Sequence, residues 1–188
     1  MKLKIVALAI AIFGFTAQVF AATITYSTLG RFNGGAFSAS PTLTVGGASL
    51  TFNGLGSTAV GVGNLSYGTF DANAIGSGGT FPVGTTFDLQ VVQTTPTGGT
   101  ATAASTLSGT LTTTASLVRL VFSSTSFAIG SIVYGIDQPA RGIAIVSPAS
   151  NAGLATIQGS AIVIPEPSVG VLFAVGLVVL SMVSRKRA

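Results

Sequence analysis

The chain has 188 residues, 48% of them hydrophobic and 6% charged, a balance too apolar for intrinsic disorder and too poor in charge for an ordinary cytosolic enzyme. It contains no histidine and no cysteine, which excludes a disulfide scaffold, a Cys/His zinc site and every nucleophile that relies on a histidine base. The formal charge of +4 raises the question of a nucleic-acid or anionic-membrane partner, and the placement of the charges decides it.

At the N-terminus Lys2 and Lys4 precede the unbroken apolar run 5–15, and Val19 and Ala21 put small residues at positions −3 and −1 of a cut after Ala21. This is the three-part pattern of a secretory signal peptide. A spanning helix needs about 20 apolar residues for about 30 Å of hydrocarbon, and the run has eleven. Residues 1–21 are therefore expected to be a signal peptide.

Residues 22–164 read as one domain of short strands. Ile24 and Tyr26 alternate with Thr23 and Thr25, Leu50 and Phe52 with Thr51 and Asn53, and Phe87, Leu89 and Val91 with Asp88 and Gln90. Further runs cover 58–62, 64–70, 103–114, 117–122, 127–134, 142–146 and 155–164. Turn signals stand between them at Asn33-Gly34-Gly35, Gly46-Gly47, Gly76-Ser77-Gly78-Gly79, Pro96-Thr97-Gly98-Gly99, Asp137-Gln138-Pro139 and Ser147-Pro148. No stretch has the apolar period of a helix. The expected fold class is all-β, an antiparallel β-sandwich or jelly roll, with a stacked β-helix as the alternative architecture and no fixed repeat to support it.

The body carries Arg31, Arg119 and Arg141 against Asp71, Asp88 and Asp137 and no lysine, so its net charge is zero. The positive excess belongs to the two ends, and a nucleic-acid partner loses its support. Without His, Cys or body Lys, only the three aspartates could serve a hydrolase; they are read chiefly as turn or surface-pairing residues. Asp71 and Asn73, two apart, are the candidate calcium ligands, short of the carboxylates a hard ion prefers. No cofactor is implied. Tyr26, Tyr67 and Tyr134 are the rings that could stack on a sugar, since the chain has no tryptophan.

After the body, Pro165-Glu166-Pro167 is followed by 168–184, which has no charged residue, and then by the basic stop Arg185, Lys186 and Arg187. Seventeen residues at about 1.5 Å each give roughly 25 Å of helix, short for a bilayer but adequate with local thinning. The basic cluster holds that end in the cytoplasm, leaving the body on the far side.

The order of Pro165, Glu166 and Pro167, a short apolar helix and a basic terminus, behind a signal peptide, resembles the PEP-CTERM sorting signal of Gram-negative bacteria. The resemblance covers residues 165–188. It implies processing by an exosortase near the Pro-Glu-Pro motif, transient membrane residence, and release to the cell surface or an exopolysaccharide matrix such as that of a biofilm. The stretches Ser49-Leu50-Thr51-Phe52-Asn53-Gly54, Leu65-Ser66-Tyr67 and Thr86-Phe87-Asp88-Leu89 resemble the β-rich choice-of-anchor surface domains that share this tail.

A body with no lysine and six charged residues leaves its sheet edges thinly defended, and zero net charge removes repulsion between copies. The expected function is a structural or adhesive, non-catalytic surface or matrix protein, self-associating or bound to exopolysaccharide. The alternatives are a polysaccharide-binding module and a secreted hydrolase using the aspartates.

Overall fold

The computed structural model describes residues 23–164. The cleavage-site residues Val19 and Ala21, the Pro165-Glu166-Pro167 motif, the apolar run 168–184 and the basic stop Arg185-Lys186-Arg187 all lie outside the described residues.

Twelve strands follow one another: β1 (Thr23–Phe32), β2 (Thr42–Val45), β3 (Ala48–Asn53), β4 (Thr58–Gly61), β5 (Gly63–Ala74), β6 (Gly79–Thr95), β7 (Gly99–Leu111), β8 (Arg119–Phe122), β9 (Ser126–Ile129), β10 (Ile132–Ile136), β11 (Ile143–Ala144) and β12 (Leu154–Val163). A single 3-10 turn, Asn151–Gly153, precedes β12, and no α-helix occurs among the described residues. The strands form two six-stranded sheets, in the orders β11-β8-β7-β6-β1-β4 and β2-β3-β5-β12-β10-β9. Every strand pairing is antiparallel, which sets aside a stack of parallel coils.

Alternation explains why the sheets close on each other. In β1 every second side chain from Ile24 to Phe32 points inward, as do Leu50 and Phe52 of β3 and Phe87, Leu89 and Val91 of β6. Facing rings interdigitate: Phe87 lies 5.1 Å from Phe52 and 4.9 Å from Phe70 between centroids, and Phe32 packs beside them. Gly30 makes room for this cluster, since a Cβ there would come within 2.6 Å of Phe52 and 2.7 Å of Phe87. Thr28, fully buried, is satisfied twice: its Oγ1 donates to the Tyr67 carbonyl at 2.8 Å and accepts from the Leu55 amide at 2.7 Å, tying the sheets together. On the outer faces threonines pair across strands, Thr42 with Thr51 at 2.8 Å and Thr80 with Thr110 at 2.9 Å.

Several segments differ from the sequence expectation, beginning with β2, which no expected run covers. The run 127–134 is two strands, β9 and β10, folded at Gly130, whose φ of +58° only glycine adopts freely. β6 extends far beyond 87–91 to 17 residues, interrupted at Pro82-Val83-Gly84, where its register against β7 shifts and Val83 is left exposed. The run 142–146 contributes only the two residues of β11.

The edge strands carry no charged residue, as expected, and they are also short. The outermost strands β2, β4 and β9 have four residues each and β11 two. Short edges offer an approaching chain little ladder to extend, which does the work charge does elsewhere.

The two ends of the described chain lie together. Thr25 pairs with Thr95 at the end of β6, the Thr97 loop touches Gly130, and the Ile164 amide bonds to the Ser131 carbonyl at 2.8 Å. The opposite end gathers the Gly46-Gly47 turn, the 75–79 loop and the 112–116 loop: Gly47 bonds to Gly78, and a Cβ on Gly78 would run into Leu111 and Thr112.

Candidate functional site

Register places Arg31 of β1 opposite Asp88 of β6 on the outer face of their sheet. The Arg31 Nε donates to Asp88 Oδ2 at 2.8 Å, and its guanidinium lies 4.4 Å from the Phe37 ring centroid. The sequence reading of Asp88 as a surface partner of an arginine holds here. This pair is a cross-strand clamp, with its carboxylate already occupied.

Asp71 and Asn73 point outward from β5, both exposed, with Asp71 between Thr51 and Leu154 and Asn73 opposite Ser49. The structure brings no further acidic ligand to them: among the described residues no group of three or more His, Cys, Asp or Glu side chains comes together. Calcium takes 6–8 oxygens at about 2.3–2.6 Å, and a flat strand face with one carboxylate does not wrap an ion in that way.

The three tyrosines require a correction. Tyr26, Tyr67 and Tyr134 are 2%, 0% and 0% exposed, so none can stack on a sugar. They form a triangle with centroids 6.4–6.5 Å apart, with Phe127 stacked on Tyr134. Each hydroxyl donates inside the protein: Tyr26 to the Ser66 carbonyl, Tyr67 to the Gly135 carbonyl at 2.9 Å, and Tyr134 to Gln93 Oε1, while Gln93 Nε2 donates to the Thr97 carbonyl at 2.7 Å. Burial raises all three pKa values, Tyr134 up to about 12, and neighbouring phenols add to the effect for Tyr67 and Tyr134. These rings are core, and the sequence lacked the long-range partners that would have said so.

Asp137 has a different setting. It follows the end of β10, is exposed, and its amide donates to the Gln158 carbonyl at 2.9 Å. Here the chain leaves its sheet for β11 and opens two adjoining clefts that share Asp137 and Gln158. The larger, about 620 Å³, is walled by Thr156 and by Ile136, Ile143 and Ala144; the smaller, about 360 Å³, by Asn64 and Ser66. Gln138 braces the larger cleft by accepting from the Phe122 amide at 2.6 Å. One carboxylate, amides and hydroxyls over an apolar wall form a surface that can hydrogen-bond a polar, hydroxyl-bearing ligand. Asn64 and Gln158 fall inside the strand runs 64–70 and 155–164, and no local signal marks them as cleft residues.

No two acids share either cleft. Asp71 and Asp88 lie on the outer faces of opposite sheets. Asp71 and Asp137 are two strands and about four residues apart, roughly 16 Å by strand spacing and rise, beyond the roughly 5–9.5 Å of a glycosidase pair. Comparison with known proteins returns no match: no family model, curated protein or solved structure is similar to the chain.

Proposed function

We propose that the chain is an exported protein whose body, residues 22–164, is displayed at the cell surface or in an extracellular matrix as a non-catalytic structural or adhesive unit. On this reading residues 1–21 direct export, 168–184 hold the chain in the inner membrane with its basic end in the cytoplasm, and an exosortase acts near Pro165-Glu166-Pro167. The observation that carries it is the ordered set of signals in the sequence around a charge-neutral body. The scattered aspartates and the absence of histidine, cysteine and body lysine support the non-catalytic part.

Fractionation tests the route. In a host that carries an exosortase, the native chain is expected in the surface or matrix fraction, and the combined variant Pro165→Ala, Glu166→Ala and Pro167→Ala in the inner membrane. Equal release of both chains refutes the route. For the role, sedimentation and co-precipitation with the host's exopolysaccharide decide: a strict monomer at high concentration that ignores the polysaccharide refutes it.

A polysaccharide-binding module is the second reading, and the Asp137–Gln158 clefts favour it. Its recognition would be by hydrogen bonds rather than ring stacking, since the tyrosines are buried. Retention on a polysaccharide affinity gel that falls with Gln158→Ala but not with Asn73→Ala supports this reading. Retention equal in both variants removes the clefts from it.

A further inference from the structure

We infer that before release the domain stands end-on upon the bilayer, with Ile162, Val163 and Ile164 against the lipid headgroups and the 75–79 loop at the far tip. The inference rests on the reading of 168–184 as a membrane span and adds to it a face, an orientation and a lipid partner.

Reach sets the first constraint. From Ile164 to Ser168 there are four residue steps, which can span at most about 13 Å. The headgroup zone on each side of the hydrocarbon is about 5–8 Å thick. A span of seventeen residues is shorter than the hydrocarbon it must cross, so it draws its flanks inward rather than letting the domain ride high. The end of the fold that bears Ile164 must therefore lie at the membrane surface.

The surface there suits that position. Ile162, Val163 and Ile164 are 59%, 38% and 51% exposed at the close of β12, a run of three aliphatic side chains that the fold leaves uncovered. The segments around them, 23–25, 94–98 and 130–131, contain threonine, serine, glycine, isoleucine and proline and no charged residue. Seating this end on lipid thus desolvates no charged side chain of these segments, and hydroxyls meet the polar headgroups. The first described residue, Thr23, is at the same end, so the chain enters and leaves the domain on one side. β6 then runs from that end to Gly79, which sets the 75–79 loop on the order of 40–50 Å away by strand rise.

Because the chain has no cysteine, single labels can be placed cleanly. The full chain with Thr97→Cys or Ser77→Cys, each carrying a fluorophore, is reconstituted into vesicles of phosphatidylethanolamine and phosphatidylglycerol containing a headgroup-attached quencher. The label at 97 is expected to be quenched several-fold more than the label at 77, and Ile162→Ser with Ile164→Ser is expected to narrow that ratio. Equal quenching of the two labels in a chain that floats with the vesicles overturns the inference while leaving the span intact. A chain that does not float overturns the span and the inference with it.

Discussion

Raising the pH above 10 should unfold this domain, and the tyrosine triangle sets the scale. Residues 23–164 contain no histidine, cysteine or lysine, so no side chain there has an ordinary pKa between those of the carboxylates and the phenols. Tyr134 rises from 10.0 to about 12 on burial, with Tyr26 and Tyr67 moving in the same direction. A phenol whose folded pKa is raised keeps its proton in the native state while the unfolded state has lost it. Its contribution is thus whole below pH 10 and is lost as pH climbs from 10 through the folded value. Two units at about 1.36 kcal/mol each make Tyr134 alone responsible for about 2–3 kcal/mol, a large share of a typical 5–15 kcal/mol. The chain has three tyrosines, all in the triangle, and no tryptophan, so tyrosinate absorbance reports these rings and nothing else. For residues 22–164 expressed alone, denaturant midpoints should stay level from neutrality to pH 10 and then drop steeply, with tyrosinate appearing only as the chain unfolds. Three phenols that ionise freely near pH 10 in a folded domain would refute the reasoning.

Further substitutions probe the same core and the surface. Tyr134→Phe leaves the buried Gln93 Oε1 without its donor and is expected to cost about 1–3 kcal/mol in urea unfolding, less when combined with Gln93→Leu. Gly159→Ala would drive a Cβ into the Gly135 carbonyl and within 2.6 Å of the Tyr67 ring, whereas Gly56 has nothing within 4 Å. A loss of about 1–3 kcal/mol for the first and under about 0.5 kcal/mol for Gly56→Ala is expected from thermal melts. Asp88→Asn should lower stability by at most about 1 kcal/mol, because the pair is partly exposed at 33% and 14%. A loss of several kcal/mol would show that the clamp with Phe37 is more than a surface pair.

Strand identity was legible where both faces declared themselves. Thr-Ile-Thr-Tyr in β1 and Phe-Asp-Leu-Gln-Val in β6 alternate because one face meets core and the other water. The run 127–134 deceived because Gly130-Ser131 is flanked by apolar residues on both sides, so a hairpin and a single strand look alike without the left-handed φ. β6 looks short in the sequence because Pro82-Val83-Gly84 breaks the alternation that resumes at Thr85. The clefts at Asp137 and Gln158 were not legible at all: they arise where the chain leaves β10 for β11, and the residues concerned come from β5, β10, β11, β12 and the 137–139 loop. Tyr134 and Gln93 are 41 positions apart, so a ring that sequence offers to solvent is claimed by the core.

The threonine pairs on the outer faces carry a consequence for how the fold responds to salt. A sheet surface zipped by Thr42–Thr51 and Thr80–Thr110 hydroxyl contacts, in a body of zero net charge with a single ion pair among the described residues, has almost nothing for dissolved ions to screen. Raising ionic strength should therefore change its stability little through screening, so that any response to concentrated salt reports the apolar core instead.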